Sequence, residues 1–149
     1  MDDNYIVNPL AKRDLYLPSI NNFFNDTKNE LYKNYFMKIL SGEKFDQINK
    51  KISISQIERF ILKDNYGTEI HTNYIMQLNE YTKKYFDPIC RQQMDPSFTY
   101  KFGDGTHCIT NIKQLNFFVW FFKMGIFDKL IKKSEENKIN TPKKNKKNK

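Results

Sequence analysis

The chain has 149 residues and a formal net charge of +8, with 39% hydrophobic and 15% aromatic content. That length supports one domain with a core of its own, and the apolar content excludes a disordered polymer. Five glycines and five prolines are too few for a loop-built or repeat architecture.

The charge is lopsided. Eight lysines and two glutamates lie from Lys132 to Lys149, so that segment carries +6 and the body before it +2. A folded nucleic-acid binder usually has a basic face of its own, whereas here the positive charge sits mainly in an appendage. Only Arg13, Arg59 and Arg91 are arginine, and the excess of Lys, Asn, Ile, Phe and Tyr is what AT-rich coding favours. Cys90 and Cys108 are the only cysteines and make no disulfide framework. The opening MDDNYIVNPL has acids where a secretory signal has bases, and no apolar run follows. The expectation is a protein that is not secreted and works in a reducing compartment.

In chain order, residues 1–18 read as a flexible arm, with Pro9 and Pro18 breaking regular structure. A helix is expected from Ser19 to Leu40. Phe24, Leu31, Tyr35 and Ile39 recur there at helical spacing, and Gly42 supplies a stop. Ser55 with Glu58 has capping-box spacing and starts a second helix, which turns Ile57, Phe60 and Ile61 inward and ends near Gly67. A third is expected from Asn73 to Phe86, with Tyr74, Leu78, Tyr81 and Tyr85 on one side. Asp87-Pro88 stops it, and the chain from Cys90 to Pro96 looks irregular.

The period then changes. In SFTYKFGDGTHCIT, Phe98, Tyr100 and Phe102 alternate with Thr99 and Lys101, as in a half-buried strand. Gly103-Asp104-Gly105 is a hairpin turn signal, and His107 to Thr110 is the returning strand. Thr110 or Asn111 caps the next helix, Gly125 ends it, and a short last helix from Ile126 to Lys133 precedes the tail.

The helix from Ile112 to Met124 concentrates the bulk of the chain. Ile112, Leu115, Phe118, Val119 and Phe122 cover one side, while Phe117, Trp120, Phe121 and Met124 cover much of the other. Asn116 and Lys123 make a narrow polar strip, and Lys113 and Gln114 lie near the helix start. A membrane span fails on length: the unbroken apolar run covers only Phe117 to Phe122, where about 20 residues are needed. A helix apolar nearly all round is the buried centre of a bundle. The second reading keeps Phe117, Trp120 and Phe121 as a face for a protein partner.

Motifs of chemistry are sparse. The GDG cluster lacks the spacing of a phosphate-cradling loop, which presents successive backbone amides. His71, Cys90, His107 and Cys108 are the only soft metal ligands, and the adjacent His107-Cys108 pair points to opposite faces of a strand, so no metal or cofactor is assigned. No nucleophile–base constellation stands out, the carboxylates are scattered, and no catalytic residue is assigned. The two helices between Ser55 and Phe86 are joined by a connector too long for a helix-turn-helix reader, and the second lacks a basic face for base edges. Phe98, Tyr100 and Phe102 are candidates for base stacking, although such a face more often packs on a helix. The tail TPKKNKKNK is the clearest polar feature. Lys143, Lys144, Lys146, Lys147 and Lys149 make a cation suited to displacing counterions from a phosphate backbone, and KKNK matches the loose pattern of a nuclear import signal. A merely solubilising end is the alternative.

Two passages, YFDPICRQQ from Tyr85 and ITNIKQLNFFVWFFKMGIFDKL from Ile109, resemble a family of short, poorly characterised proteins of nucleocytoplasmic large DNA viruses, the mimivirus-like group. The resemblance covers about Phe86 to Leu130 and rests on an FDPFCR-like element, a hairpin and a TxxGQLNFFxW-like helix. It departs at Lys113, where glycine is expected, and at Ile89, where Phe is expected. It implies no catalytic residues.

The resulting expectation is an α+β fold, a mostly helical single domain over residues 19–133 with a β-hairpin packed beside a central aromatic helix. A disordered basic tail, residues 134–149, follows it. The expected function is that of a non-enzymatic viral protein, virion- or genome-associated, binding nucleic acid weakly and non-specifically through the tail lysines. The alternative is a protein–protein interaction module for a host factor or capsid partner, using an aromatic helix face. The expected location is the virion or the host-cell cytoplasm or nucleus.

Overall fold

The computed structural model describes residues 9–81, 85–88 and 97–140, with side chains between 15 and 136. The fold is α+β and mostly helical, as the sequence implies: among the described residues there are six α-helices and one two-stranded antiparallel sheet.

Helix α1 spans Pro9–Phe24 and passes straight through Pro18. The helix expected from Ser19 thus begins ten residues earlier, inside the stretch read as an arm. A proline inside a helix forfeits one backbone hydrogen bond and crowds the preceding turn. Here the flanking residues hold the chain in place: Ile20, Phe23 and Phe24 are buried, and Tyr16 and Leu17 pack against the core. Pro18 itself is exposed.

The helix expected to run on to Leu40 breaks instead after Phe24. Asp26 caps a 3-10 turn, Thr27–Asn29, by accepting from the Lys28 N–H at 3.1 Å. Helix α2, Glu30–Ser41, then starts afresh with its phase reset, so Phe36 and Ile39 are buried while Leu31, expected inside, is exposed. Gly42 ends α2 at φ +77°, its N–H reaching Lys38 O at 2.9 Å. The following loop seals one end of the core with Phe45, Ile48 and Ile52.

Helix α3, Ile54–Arg59, starts one turn-fraction before the expected Ser55. Ser53 and Gln56 form the reciprocal cap, at 3.1 Å and 2.8 Å. The helix widens into a π turn, Phe60–Asp64, closed by the Asn65 N–H and side-chain amide, which both donate to Phe60 O. Helix α4 is Glu69–Tyr81, so it starts earlier and stops sooner than its aromatic spacing suggests.

The hairpin follows the alternation. Strands β1, Phe98–Lys101, and β2, His107–Thr110, pair in the register Phe98↔Thr110 and Tyr100↔Cys108. The turn is closed by Phe102 N–H to Thr106 O at 2.8 Å, with Gly105 at φ +94°. Tyr100 and Phe102 face inward, Phe102 edge-on to Phe24 at 5.5 Å. The aromatic face of the strand is therefore spent on α1 and not open for base stacking.

Helix α5, Ile112–Lys123, is the centre. Nine of its twelve residues are buried, so it has no free aromatic face. Its rings touch every side: Phe118 meets Phe36 at 5.0 Å, Phe117 meets Phe86 at 5.5 Å, and Phe122 stacks on Tyr32 at 4.8 Å. Helix α6, Ile126–Asn140, runs past the expected end at Lys133 into the stretch read as tail. Its Phe127 stacks on Tyr35 at 4.4 Å. Among the described residues no helix is long and apolar enough to cross a membrane.

Candidate functional site

Six polar or charged side chains are buried among the described residues, and five of them come from the two passages around Asp87 and the start of α5. These are Asp87, Thr110, Asn111, Lys113 and Asn116. Buried polar groups need partners, and the local sequence supplies them. Asn111 caps α5 by accepting from the Gln114 N–H at 3.0 Å. The Thr110 hydroxyl donates to Gln114 Oε1 at 2.7 Å, which leaves the Gln114 amide to donate to Pro88 O at 2.9 Å. One turn on, the Asn116 amide donates to Tyr85 O at 2.9 Å. Asp87 N–H donates to Lys113 O at 3.1 Å, and both of these side chains are about 1% exposed. The first turns of α5 thus clamp the 85–88 segment along its backbone. This is a closed polar seam, and what it does is hold Phe86 against Phe117 and Trp120, at 5.5 Å and 5.6 Å.

The residues singled out for partner binding do not form a surface. Phe117 and Phe121 are fully buried and Trp120 is 7% exposed, its indole N–H donating to Asn73 Oδ1 at 2.8 Å. The aromatic helix face expected for a partner lies inside the fold: α1, α2, α4, α6 and the 85–88 segment pack around these three rings. Lys143, Lys144, Lys146, Lys147 and Lys149 lie outside the described residues, as does Cys90. His107 is exposed and Cys108 half-buried, the opposite-face arrangement that strand geometry requires. Among the described residues, no three His, Cys, Asp or Glu side chains gather as a metal ion needs.

Two grooves flank the α1–α2 turn, and the sequence signals neither. The first, about 530 Å³, is lined by Ser19, Asn22, Phe23, Asp26, Lys28, Asn29, Tyr32, Phe122 and Lys123. Its wall is aromatic and its rim carries two lysines. The second, about 340 Å³, is lined by Asp26, Glu30 and Asp104 together with the buried Lys33. Lys33 pairs with Asp104, lies 3.9 Å from Glu30, and sits over the Phe102 ring at 5.9 Å. Asn25 Oδ1 accepts from the Gly103 N–H at 2.7 Å at the same place. Both grooves exist because α1 ends at Phe24. A continuous helix to Leu40 would have removed the turn that forms their shared wall.

An uncharacterised protein of Acanthamoeba polyphaga mimivirus is 39% identical over 88 residues, covering 54% of this chain and 33% of that protein. The chain therefore spans about a third of that relative's length. No solved structure matches. The model of a family of unknown function, DUF7197, matches residues 19–149, from Ser19 through the last lysine, and the chain belongs to that family.

Proposed function

We propose that this is a non-enzymatic viral protein, virion- or genome-associated, that binds nucleic acid weakly and without sequence preference through Lys143, Lys144, Lys146, Lys147 and Lys149. The observation that carries the reading is the distribution of charge: +6 of the net +8 lies from Lys132 onward. The mimivirus relative supports the viral setting. The first part of helix α6, which precedes these lysines in the chain, is anchored by Ile126, Phe127, Leu130 and Ile131 and by Lys133 pairing with Asp64 at 2.9 Å. The virion, or the cytoplasm or nucleus of the host cell, is the proposed place of action.

The test is a salt titration. Five lysines on phosphates release about as many counterions, which gives a log–log slope of roughly −4 to −5 on duplex DNA. The full-length protein should show such a slope, and a full-length variant with those five lysines changed to serine should lose most of it. Equal binding by both proteins at every salt concentration defeats the reading.

A further inference from the structure

The groove between α1, α2 and the end of α5 sets an edge of the aromatic core beside exposed polar side chains. Its apolar wall is a set of three aligned rings. Tyr32 stacks on Phe122 with centroids 4.8 Å apart and planes 19° apart, and Phe23 lies parallel to Tyr32, 9° between planes, at 6.2 Å. Phe23 and Phe122 are buried and hold Tyr32 in place, while Tyr32 itself is partly exposed. The polar rim is less spoken for. Lys123, at the last position of α5, is exposed and has no acidic partner among the described residues. Asn22, on α1, is exposed and its amide has no hydrogen-bond partner among them either. Lys28 stands 3.8 Å from Asp26, so those two charges offset each other.

We infer that this groove binds a nucleotide unit, with the base against the Tyr32 wall, the Asn22 amide on its edge, and the phosphate at Lys123. The inference deepens the nucleic-acid reading and rests on it. Three features of the site argue for that ligand. The volume, about 530 Å³, is in the range of small-ligand sites. Aromatic walls take any base by its π-face, and an unpaired ammonium takes the phosphate as a point charge. The neighbouring groove, across Asp26, carries Glu30 and Asp104 against the single ammonium of Lys33, and this net negative charge disfavours phosphate. The sign of the surface therefore changes along the α1–α2 turn, and this directs the anionic end of a ligand toward Lys123. An acidic peptide would use the lysine but not the ring wall, and a cationic one would favour the acidic groove.

The test uses the full-length, isotope-labelled protein and three probes: adenosine monophosphate, a twelve-residue oligo(dA), and inorganic phosphate. Saturable shifts of the Asn22 side-chain amide and of the Phe23, Tyr32 and Lys123 backbone signals are expected with the monophosphate, the oligonucleotide or both. Which of them binds more tightly tells a free nucleotide from a strand. Lys123→Glu should weaken either probe roughly five- to ten-fold and Asn22→Ala less, with the fold unchanged because both side chains are exposed. The five-lysine serine variant separates the two readings. It should lose the steep salt dependence of strand binding yet keep the groove shifts with the monophosphate. The inference is overturned by groove signals that stay still with both nucleotide probes. Shifts no larger than those given by inorganic phosphate, or an unaltered affinity in Lys123→Glu, overturn it equally.

Discussion

Lys33 and Asp104, 71 positions apart in sequence, form an ion pair that pins the tip of the hairpin to helix α2. The lysine is buried and the carboxylate half-exposed, so the pair sits at the edge of the core with one side in water. Asp104 also accepts from the Thr106 N–H at 3.0 Å and from its hydroxyl at 2.7 Å. The Lys33 ammonium and these two donors hold the Asp104 carboxyl well below its usual value of 3.8. A carboxyl depressed in the folded state contributes stability above its unfolded pKa and loses it as pH falls through the folded one. Asp104→Asn should therefore lower the melting temperature at pH 7, and its curve should converge on that of the wild type as the pH falls below about 4. Lys33→Met, which removes the buried charge instead of stranding it, should be better tolerated. Thermal melts across pH check both. Coincident curves for the asparagine variant and the wild type at neutral pH remove the pair from the account.

The core carries a second expectation. Phe118 and Phe121 are fully buried, and truncating such a ring leaves a cavity costing about 3–5 kcal/mol. Each alanine variant should unfold at much lower denaturant with an unchanged slope. Met76, 57% exposed on α4, is the control: Met76→Ser should stay within about 0.5 kcal/mol of wild type. A Phe121→Ala protein as stable as wild type would restore the idea of a ring kept for a partner.

How far the sequence could be read follows from the range of each interaction. The hairpin and the central helix rest on local patterns, alternating rings and a nearly continuous apolar run, and local patterns survive in one dimension. At α3 two capping boxes compete two residues apart, Ser53 with Gln56 and Ser55 with Glu58. The earlier one wins, and the helix keeps the same buried face either way, since Ile57, Phe60 and Ile61 remain inside. Pro18 misled because its cost is local while its compensation, the burial of Ile20 and Phe24, is tertiary. The break after Phe24 had a local sign in Asp26, a capping residue, but the aromatic spacing on both sides ran over it. The grooves and the Lys33–Asp104 pair depend on that break, so neither is legible from local patterns alone. The Asn111 cap was legible, whereas burial of Asp87 and Lys113 was not, because charged residues normally read as surface.

Trp120 is the only tryptophan and reports on the seam. Its indole N–H is held by Asn73 of α4, in a setting 7% exposed. Emission should be blue and resistant to quenchers. Asn73→Leu leaves the donor without its acceptor, which should cost about 1–3 kcal/mol and move the emission. A red, readily quenched signal from the wild-type monomer would contradict the packing of α5.

The hairpin gives the last expectation, at alkaline pH. Burial pushes the Tyr100 phenol up from 10.0 to about 12 and the Cys108 thiol up from 9.0 to about 11. Tyr100 donates to Asn21 Oδ1 at 2.7 Å, which requires its proton. For a group raised by folding, the contribution to stability is whole below the unfolded pKa and is lost as pH rises through the folded one. Stability should thus fall between about pH 10 and 12, and Tyr100→Phe should soften that decline while losing the hydrogen bond at neutral pH. Cys108 supplies an independent readout of the same packing. At pH 8, a thiol pushed up by burial holds far less thiolate than an ordinary one. In a Cys90→Ser background, a thiol-specific disulfide reagent should react slowly with Cys108 until denaturant is added. Because β1 and β2 pair Tyr100 with Cys108, fast labelling at pH 8, together with a Tyr100 tyrosinate that forms near pH 10 in the difference between wild type and Tyr100→Phe, would mean that the hairpin does not lie on α1.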